Sequence, residues 1–303
     1  MKKIILLVFT VLVFNYSKAQ IHCGGFNKCT DAQAEEANEA LLLSNQRIKE
    51  LKDLHFFNGK PRNSSNKDII ILTQEGFIVG YDTILNLPLW TSYFLTKEWA
   101  EIERDRIDCF RDDPRLNKTK TQINCDYYKG SGFNRGHLSP RNDFNRSEIV
   151  QLNTFLFSNM IPQYPKHNQR MWRFLEEYVN NLAESIDSIY IITGIAFDYD
   201  GNGRPDSKDD LPLLEQNTRP LAIPSHIYKI VIKKRNDDTI EAISFLTVHD
   251  NIGRNKEESL SYLKDSCLVS IDVIEKLTGS NFFWSLDNKT ERKLEKNIQK
   301  ELW

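Results

Sequence analysis

The sequence predicts an α+β fold, and three observations carry that reading. Short runs rich in β-branched and aromatic residues stand at 68–73, 76–83, 89–96, 189–197, 226–232 and 242–248, separated by turn residues. Helical apolar spacing runs from Asn168 through Met171, Phe174, Leu175 and Tyr178 to Leu182. A shorter helix, SIDVIEKLT, is closed by Gly279, the residue that most easily takes the left-handed stop. With 40% hydrophobic and 27% charged residues over 303 positions, the chain has the composition of a folded protein rather than a disordered one. Internal repeats and low-complexity tracts are absent from the sequence.

Taken in order, the chain begins with Met1-Lys2-Lys3, an apolar run from Ile4 to Phe14, and Ser17-Lys18-Ala19. That order is a secretory signal, with cleavage expected before Gln20 and export as the consequence. The apolar run is too short for a membrane anchor, which needs about 20 residues, and no later stretch is a better candidate, so no stable membrane association is expected. Loss of the signal leaves 37 basic against 42 acidic residues, a formal charge of −5 in place of −2. A nucleic-acid binder usually carries a basic surface, so any such partner has to be held by a local group of arginines, with strong salt dependence.

Thr30 followed by DAQAEEANEALLLSNQRIKELKDL reads as one capped helix of about 24 residues, with Leu41, Ile48, Leu51 and Leu54 on a loose stripe. It forms an arm over residues 20–65, either packed on the main domain or dimerising, so the oligomeric state stays open. A polar linker at 59–67 leads into one domain over residues 66–303. The run TFLFSNMIP at 154–162 reads as a further strand. The five cysteines suit an oxidising compartment. A Cys109–Cys125 disulfide is expected around a polar segment, Cys23–Cys29 is a second candidate pair, and Cys267 is left as a buried thiol. A zinc site lacks the CxxC and His spacing it would need.

The chemistry concentrates in Asn134-Arg135-Gly136-His137, continuing LSPRNDF, then Ser158-Asn159-Met160-Ile161-Pro162-Gln163, then Asn168, Trp172 and Glu176. Phosphodiester hydrolysis needs a base to deprotonate water, fixed positive charge for the phosphorane-like transition state, and commonly a divalent ion. A histidine that titrates near neutrality suits the first task. Arginines suit the second. Mg²⁺ prefers oxygen ligands and keeps most of its waters, so one amide, Asn168, can be its direct ligand, with Glu176 two helical turns on as outer support. Duller roles compete: Asn168 could cap its helix, Glu176 could be a solvated helix residue, Arg135 a structural ion pair, and Trp172 is expected in the core.

These blocks, with YDTILNLPLWTSYFLT upstream, resemble the DNA/RNA non-specific endonucleases of the ββα-metal fold over roughly residues 68–285. The resemblance implies a central, mostly antiparallel sheet flanked by helices. It also implies a Mg²⁺-dependent nuclease (Mn²⁺ as substitute) acting on DNA and/or RNA and leaving 5′-phosphates. His137 would be the general base, Asn168 the Mg²⁺ ligand and Glu176 its water-mediated support, while Arg135 and Asn159 would orient the phosphate and the site. Asn134 stands where that family more often has Asp, which changes charge beside His137. A further transition-state arginine lies upstream in the family, and Arg106 and Arg111 are both candidates.

Asp198, Asp200, Asn202 and Asp206 fall at positions 1, 3, 5 and 9 of a loop, with the Arg204 carbonyl at 7 and Gly203 at 6. That is the spacing of a calcium loop, although position 12 is Asp209 rather than Glu. TGIAFDYDGNGRPD followed by IPSHIY also resembles the nuclease-like domain of secreted nucleotide pyrophosphatase/phosphodiesterases. That domain lacks the catalytic histidine; this chain has His137. A structural Ca²⁺ is therefore expected. The competing functions are a non-catalytic calcium-binding scaffold and a phosphodiesterase for small nucleotides.

Overall fold

Alternation along the strands decides the layers. Ile191 and Ile192, Val231 and Ile230, and Ile243 and Ala242 are sequence neighbours that point to opposite faces, and each face has its own apolar core. In the computed structural model, which describes residues 27–63, 68–119, 123–214, 220–235, 237 and 239–303, these residues build a six-stranded sheet. Its strands are β1 (Ile69–Thr73), β2 (Ile78–Asp82), β3 (Leu87–Thr96), β6 (Ser188–Ala196), β7 (His226–Lys234) and β8 (Ile240–Val248). They lie in the order β1-β2-β3-β6-β7-β8 and every neighbouring pair is antiparallel.

Between β3 and β6 the chain makes a separate two-stranded hairpin, β4 (Asn134–His137) with β5 (Met160–Gln163). Between them lies the short helix α3 (Glu148–Asn153). After β5 comes a helix whose first part, His167–Trp172, is wound wide with i→i+5 bonds before it tightens into α4 (Arg173–Ile186). The buried stripe of α4 (Phe174, Leu175, Val179, Leu182, Ala183) lies against the front of the sheet. Fully burying one such leucine or phenylalanine contributes about 1.5–3 kcal/mol. The back is covered by α2 (Asn45–His55) and the C-terminal helices α6 (Ile271–Thr278) and α7 (Asn288–Lys296), through Phe57, Ile274, Phe282, Phe283 and Leu294. Among the described residues, no helix is long and apolar enough to cross a membrane.

The sequence expectations fare unevenly. All six sheet strands lie where the residues place them, and Gly279 does stop α6 in the left-handed region at φ 65°. The single 24-residue helix is instead two, α1 (Asp31–Glu39) and α2. Leu41 turns inward between them, and the Ser44 hydroxyl accepts from Arg47 N at 3.1 Å to start the second. The segment packs on the main domain, one of the two readings the sequence left open. Ala34 and Ala37 are fully buried, Gln33 Nε2 donates to Glu148 Oε1 of α3 at 2.7 Å, and Ser92 Oγ of β3 donates to the His55 carbonyl at 2.7 Å. Within 154–162 only Met160–Gln163 is strand; Phe157–Asn159 forms a tight turn buried on all sides, a case where a continuous apolar run does not separate strand from buried loop.

The disulfide is also corrected. Cys109 is bonded to Cys29, not to Cys125, and that bond excludes Cys23–Cys29 as well. A parallel bridge between Lys28 and Asp108 lays the two segments side by side, with Cys29 N donating to Asp108 O at 3.2 Å, so the next residue on each faces its partner. Cys267 is a free buried thiol as expected, its pKa pushed up to about 12 chiefly by burial. The signal segment and Cys23 lie outside the described residues. Helix α5 (Lys256–Ser266) was missed, although Asn255 and Glu258 form a reciprocal capping box that the sequence displays.

Candidate active site

The hairpin fixes the first part of the site. Asn134 pairs with Gln163, Gly136 with Ile161, and His137 with Met160. A Cβ at Gly136 would fall inside the Gln163 side chain, so only glycine lets the two strands close here. Beyond His137 the chain is held by Asn159. Its Oδ1 accepts from Ser139 N at 3.0 Å, and its Nδ2 donates to Ser139 O at 3.0 Å and Thr154 O at 2.8 Å. Asn159 is fully buried and its amide is spent on backbone. It therefore orients the site, and the expectation that it also touches phosphate is not met by this geometry.

His137 stands between Phe155 and Phe110, ring centroids 5.1 and 5.9 Å away. Its Nε2 is buried and has no hydrogen-bond partner among the described residues. Burial pushes its pKa down to about 3, and the Arg106, Arg135 and Arg141 guanidinium groups act in the same direction. Arg135 lies 3.8 Å over the Phe110 ring and Arg106 5.3 Å over Phe155, so both cations flank the imidazole on aromatic supports. Arg141 is tethered by the Arg104 carbonyl at 2.9 Å. The result is a neutral base among fixed positive charges.

The structure also separates the two upstream arginines. Arg111 is completely buried, donating to Asn38 Oδ1 at 2.8 Å, to Leu152 O at 2.7 Å, to Cys109 O at 3.2 Å and to Asn153. Its guanidinium braces α1, α3 and the disulfide segment. Arg106 is about half exposed, paired at 2.5 Å with Asp108, and its charge is felt by His137. Of the two, Arg106 belongs to the site.

From β5 the chain passes through Tyr164 into the site helix, with Pro165 in the first turn, where its missing N–H costs least. The Tyr164 carbonyl accepts from Asn168 N at 2.9 Å. Asn168 is thus inside the first turn and caps nothing; its half-buried side chain makes no hydrogen bond among the described residues. Eight residues of regular helix overshoot two turns by about 80°. The wide winding over His167–Trp172 turns less per residue and so reduces that overshoot between Asn168 and Glu176.

Glu176 sits in a buried charged group that sequence reading missed. Burial drives its carboxyl upward, the Lys229 ammonium opposes this, and Asp143 adds to it. Lys229 is fully buried, donating to Thr193 Oγ1 at 2.7 Å and lying 5.1 Å over the Trp172 ring. Asp143, four residues past Ser139, accepts from Tyr93 OH at 2.6 Å and from Asn180 Nδ2 at 3.0 Å, joining the histidine loop to α4. Trp172 is core, as expected, at 1% exposure. Oxygen donors from Asn168 and Glu176, with the charges of Asp143 and Lys229 offsetting each other behind them, fit a hard divalent cation. Lys229 was legible as the one charge inside HIYKIVI, and Asp143 lay within LSPRNDF, directly after the NRGH motif.

A second acidic group lies after β6. Carboxylate oxygens of Asp198, Asp200 and Asp206 approach within 4.8 Å of one another. Gly201 and Gly203 take φ of 71° and 77°, which turns the loop back on itself. Asp198 N donates to Ser225 Oγ at 2.7 Å, tying the loop to the IPSHIY segment. Asn202 Oδ1 accepts from Arg204 N at 2.8 Å, so here it closes the turn. Asp209 lies in a separate short turn, Lys208–Asp210.

Comparison with known proteins decides the family. The sequence profile of the DNA/RNA non-specific endonucleases matches residues 35–289. The chain belongs to that family. Relatives include human mitochondrial nuclease EXOG, 28% identical over 217 residues, covering 70% of this chain and 56% of that protein. Human mitochondrial endonuclease G is 29% identical over 211 residues, 69% of this chain and 68% of that protein. A nuclease of Nostoc sp. is 24% identical over 250 residues, 81% of this chain and 86% of the other. Rat ectonucleotide pyrophosphatase/phosphodiesterase family member 1 is 28% identical over 264 residues, 80% of this chain but 28% of that protein. The chain thus spans little more than half the length of the EXOG proteins. The family match starts inside α1, in keeping with the packing of that helix on α3.

Proposed function

We propose that this non-specific endonuclease family member is an exported, Mg²⁺-dependent nuclease that hydrolyses phosphodiester bonds of DNA and/or RNA and leaves 5′-phosphates. One observation carries the reading: a buried His137 Nε2 with no hydrogen-bond partner among the described residues, set among the charges of Arg106, Arg135 and Arg141. In this account Nε2 accepts the proton of the attacking water, and the arginines hold the phosphate oxygens as negative charge grows in the transition state. The bond from phosphorus to the 3′ oxygen breaks, that oxygen takes a proton from solvent water, and His137 returns to solvent the proton it accepted. Asn168 directly, and Glu176 from further out, would hold Mg²⁺, which supplies additional positive charge to the phosphate. A pKa near 3 makes a poor base, but phosphate bound among the arginines offsets their charge and raises His137 toward its useful range.

Purified protein without residues 1–19, incubated with supercoiled plasmid and with RNA, is expected to degrade both in Mg²⁺ and neither in EDTA. Asn168→Ala is expected to need at least about 10-fold more Mg²⁺. Intact substrate in Mg²⁺ would favour the competing scaffold role, to which the negative net charge points. Preference for a dinucleotide ester over polymers would favour the small-phosphoester reading, to which the pyrophosphatase similarity points.

Asp198, Asp200 and Asp206, with the Asn202 side chain and the Arg204 carbonyl, would hold a structural Ca²⁺ that neutralises the loop. Millimolar Ca²⁺ should raise the melting temperature by a few degrees, less so in Asp198→Asn; an unchanged melt makes the loop an ordinary turn. Export is tested by expressing the full chain in a bacterium and sequencing the secreted product, expected to begin at Gln20.

A further inference from the structure

On the back of the sheet, far along the chain from the catalytic motifs, α6 and α7 meet through Ile274 and Leu294 in the apolar core. The residue after each anchor is an acid. Glu275 and Glu295, with Asp272 one turn before Glu275 on the same face of α6, bring carboxylate oxygens within 4.8 Å of one another. Acids gathered at a surface need no ligand. Glu295 is different: it is 8% exposed, and its Oε1 is fully buried with no hydrogen-bond partner among the described residues. Glu275 Oε1 accepts the Phe282 N–H at 2.8 Å, and its carboxyl lies within hydrogen-bonding reach of the Glu295 carboxyl. No ion pair reaches Asp272, Glu275 or Glu295 from any described cation, although Lys276, Arg292 and Lys293 lie on the same helices.

We propose that Asp272, Glu275 and Glu295 form a site for a hard divalent cation that clamps α6 to α7. The donors are all carboxylate oxygen, which selects Ca²⁺, Mn²⁺ or Mg²⁺ over zinc or copper. Glu291, on α7 and within electrostatic range of Glu275 and Glu295, adds charge without being required as a ligand. Burial raises Glu275 to about 8 and Glu295 to about 7 when no cation is bound, so the metal-free cluster carries a penalty that a cation relieves. This site is independent of the nuclease reading, because none of its residues touches the catalytic group.

Calorimetric titration of the chain carrying Asp198→Asn, Asp200→Asn and Asn168→Ala, with CaCl₂ and separately with MnCl₂, isolates it from the other two candidate sites. One saturable equivalent is expected, with a dissociation constant on the order of 10⁻⁴–10⁻³ M, weakened at least about 10-fold by Glu295→Gln and by Glu275→Gln. In metal-free buffer Glu295→Gln should melt above its parent, since repulsion falls; with calcium at about 10 times the dissociation constant the order should reverse. Absence of saturable binding, or binding unchanged in both variants, overturns the proposal. If Glu295→Gln does not fold, Asp272→Asn supplies the same comparison at a more exposed position.

Discussion

Two groups of histidines on the front of the molecule share a depressed pKa but have different uses for their nitrogens. Behind the site helix, His167 uses Nδ1 with Gln163 at 2.7 Å and Nε2 with Thr247 at 3.3 Å. His249 uses Nδ1 with the Pro224 carbonyl at 2.8 Å and accepts from Tyr164 N at 2.8 Å. Both rings are saturated with partners, and they hold β5, the site helix and β8 together. In the hairpin, the His137 ring is only half-buried, yet its buried Nε2 has no hydrogen-bond partner among the described residues. Burial lowers all three; only one keeps an unused lone pair beside fixed positive charge. Function is read from the valence left over, since the residue type and the direction of the pKa shift do not distinguish the two groups.

The comparison can be broken most sharply by exchanging roles. His137→Ala should lower plasmid and RNA cleavage by about 10²–10⁴-fold with a melting temperature near that of the parent. His167→Ala should do the opposite, costing about 1–3 kcal/mol in denaturant unfolding by stranding Gln163 and Thr247, with cleavage reduced only as far as the fold loosens. A larger activity loss in His167→Ala than in His137→Ala would invert the assignment.

The arginines give the next largest contrast. Arg111→Met should destabilise by about 3–5 kcal/mol, because three buried acceptors and one part-buried one lose a charged donor. Arg106→Ala should leave stability within about 1 kcal/mol, since its ion pair is half exposed. Its kcat/KM on plasmid should fall at least about 10-fold and lose part of its salt dependence. Equal stability losses in the two variants would mean that Arg106 is structural too.

Below these comes the Cys29–Cys109 bond, which closes a loop of 80 residues. Cys29→Ser is expected to cost roughly 2–4 kcal/mol in urea unfolding, whereas Cys125→Ser should match the parent; the reverse order would restore the Cys109–Cys125 pairing. The smallest effect is on pH. The folded values of His137, His249 and His55 (about 3, 4 and 4) lie below the unfolded 6.5, so the unfolded chain binds more protons as pH falls. Stability from these groups is complete above about pH 6.5 and is lost as pH drops toward 4 and then 3. Each contributes a slope of up to ~1.4 kcal/mol per pH unit. His137→Gln should show a shallower acid limb than the parent, measured by urea midpoints between pH 4 and 7; an identical slope would place His137 in solvent.

Much of this was legible in the sequence, and the remainder was hidden for identifiable reasons. Strands β1 to β3 and β6 to β8 announce themselves because both faces are buried and the runs are β-branched. The NRGH hairpin was found by residue type, and the Asn168–Glu176 spacing pointed to one helix face. What corrected that geometry, the wide turn over His167–Trp172, leaves no mark in residue spacing. The break between α1 and α2 was marked by Ser44, but a good helical stripe on both sides masked it. The disulfide was misassigned because pairing depends on a bridge between segments 80 residues apart, and sequence proximity favoured Cys125. Asp143 and Lys229 escaped because their importance comes from the charge they exert on Glu176, an influence that the fold brings from distant segments.

Chemical rescue addresses the imidazole most directly. His137→Gly, shown to be folded by circular dichroism, is predicted to cleave supercoiled plasmid in Mg²⁺ at least about 10²-fold more slowly than the parent. Added imidazole should restore part of that loss, in proportion to its neutral form. Parental cleavage rates in the folded glycine variant without imidazole would contradict the account.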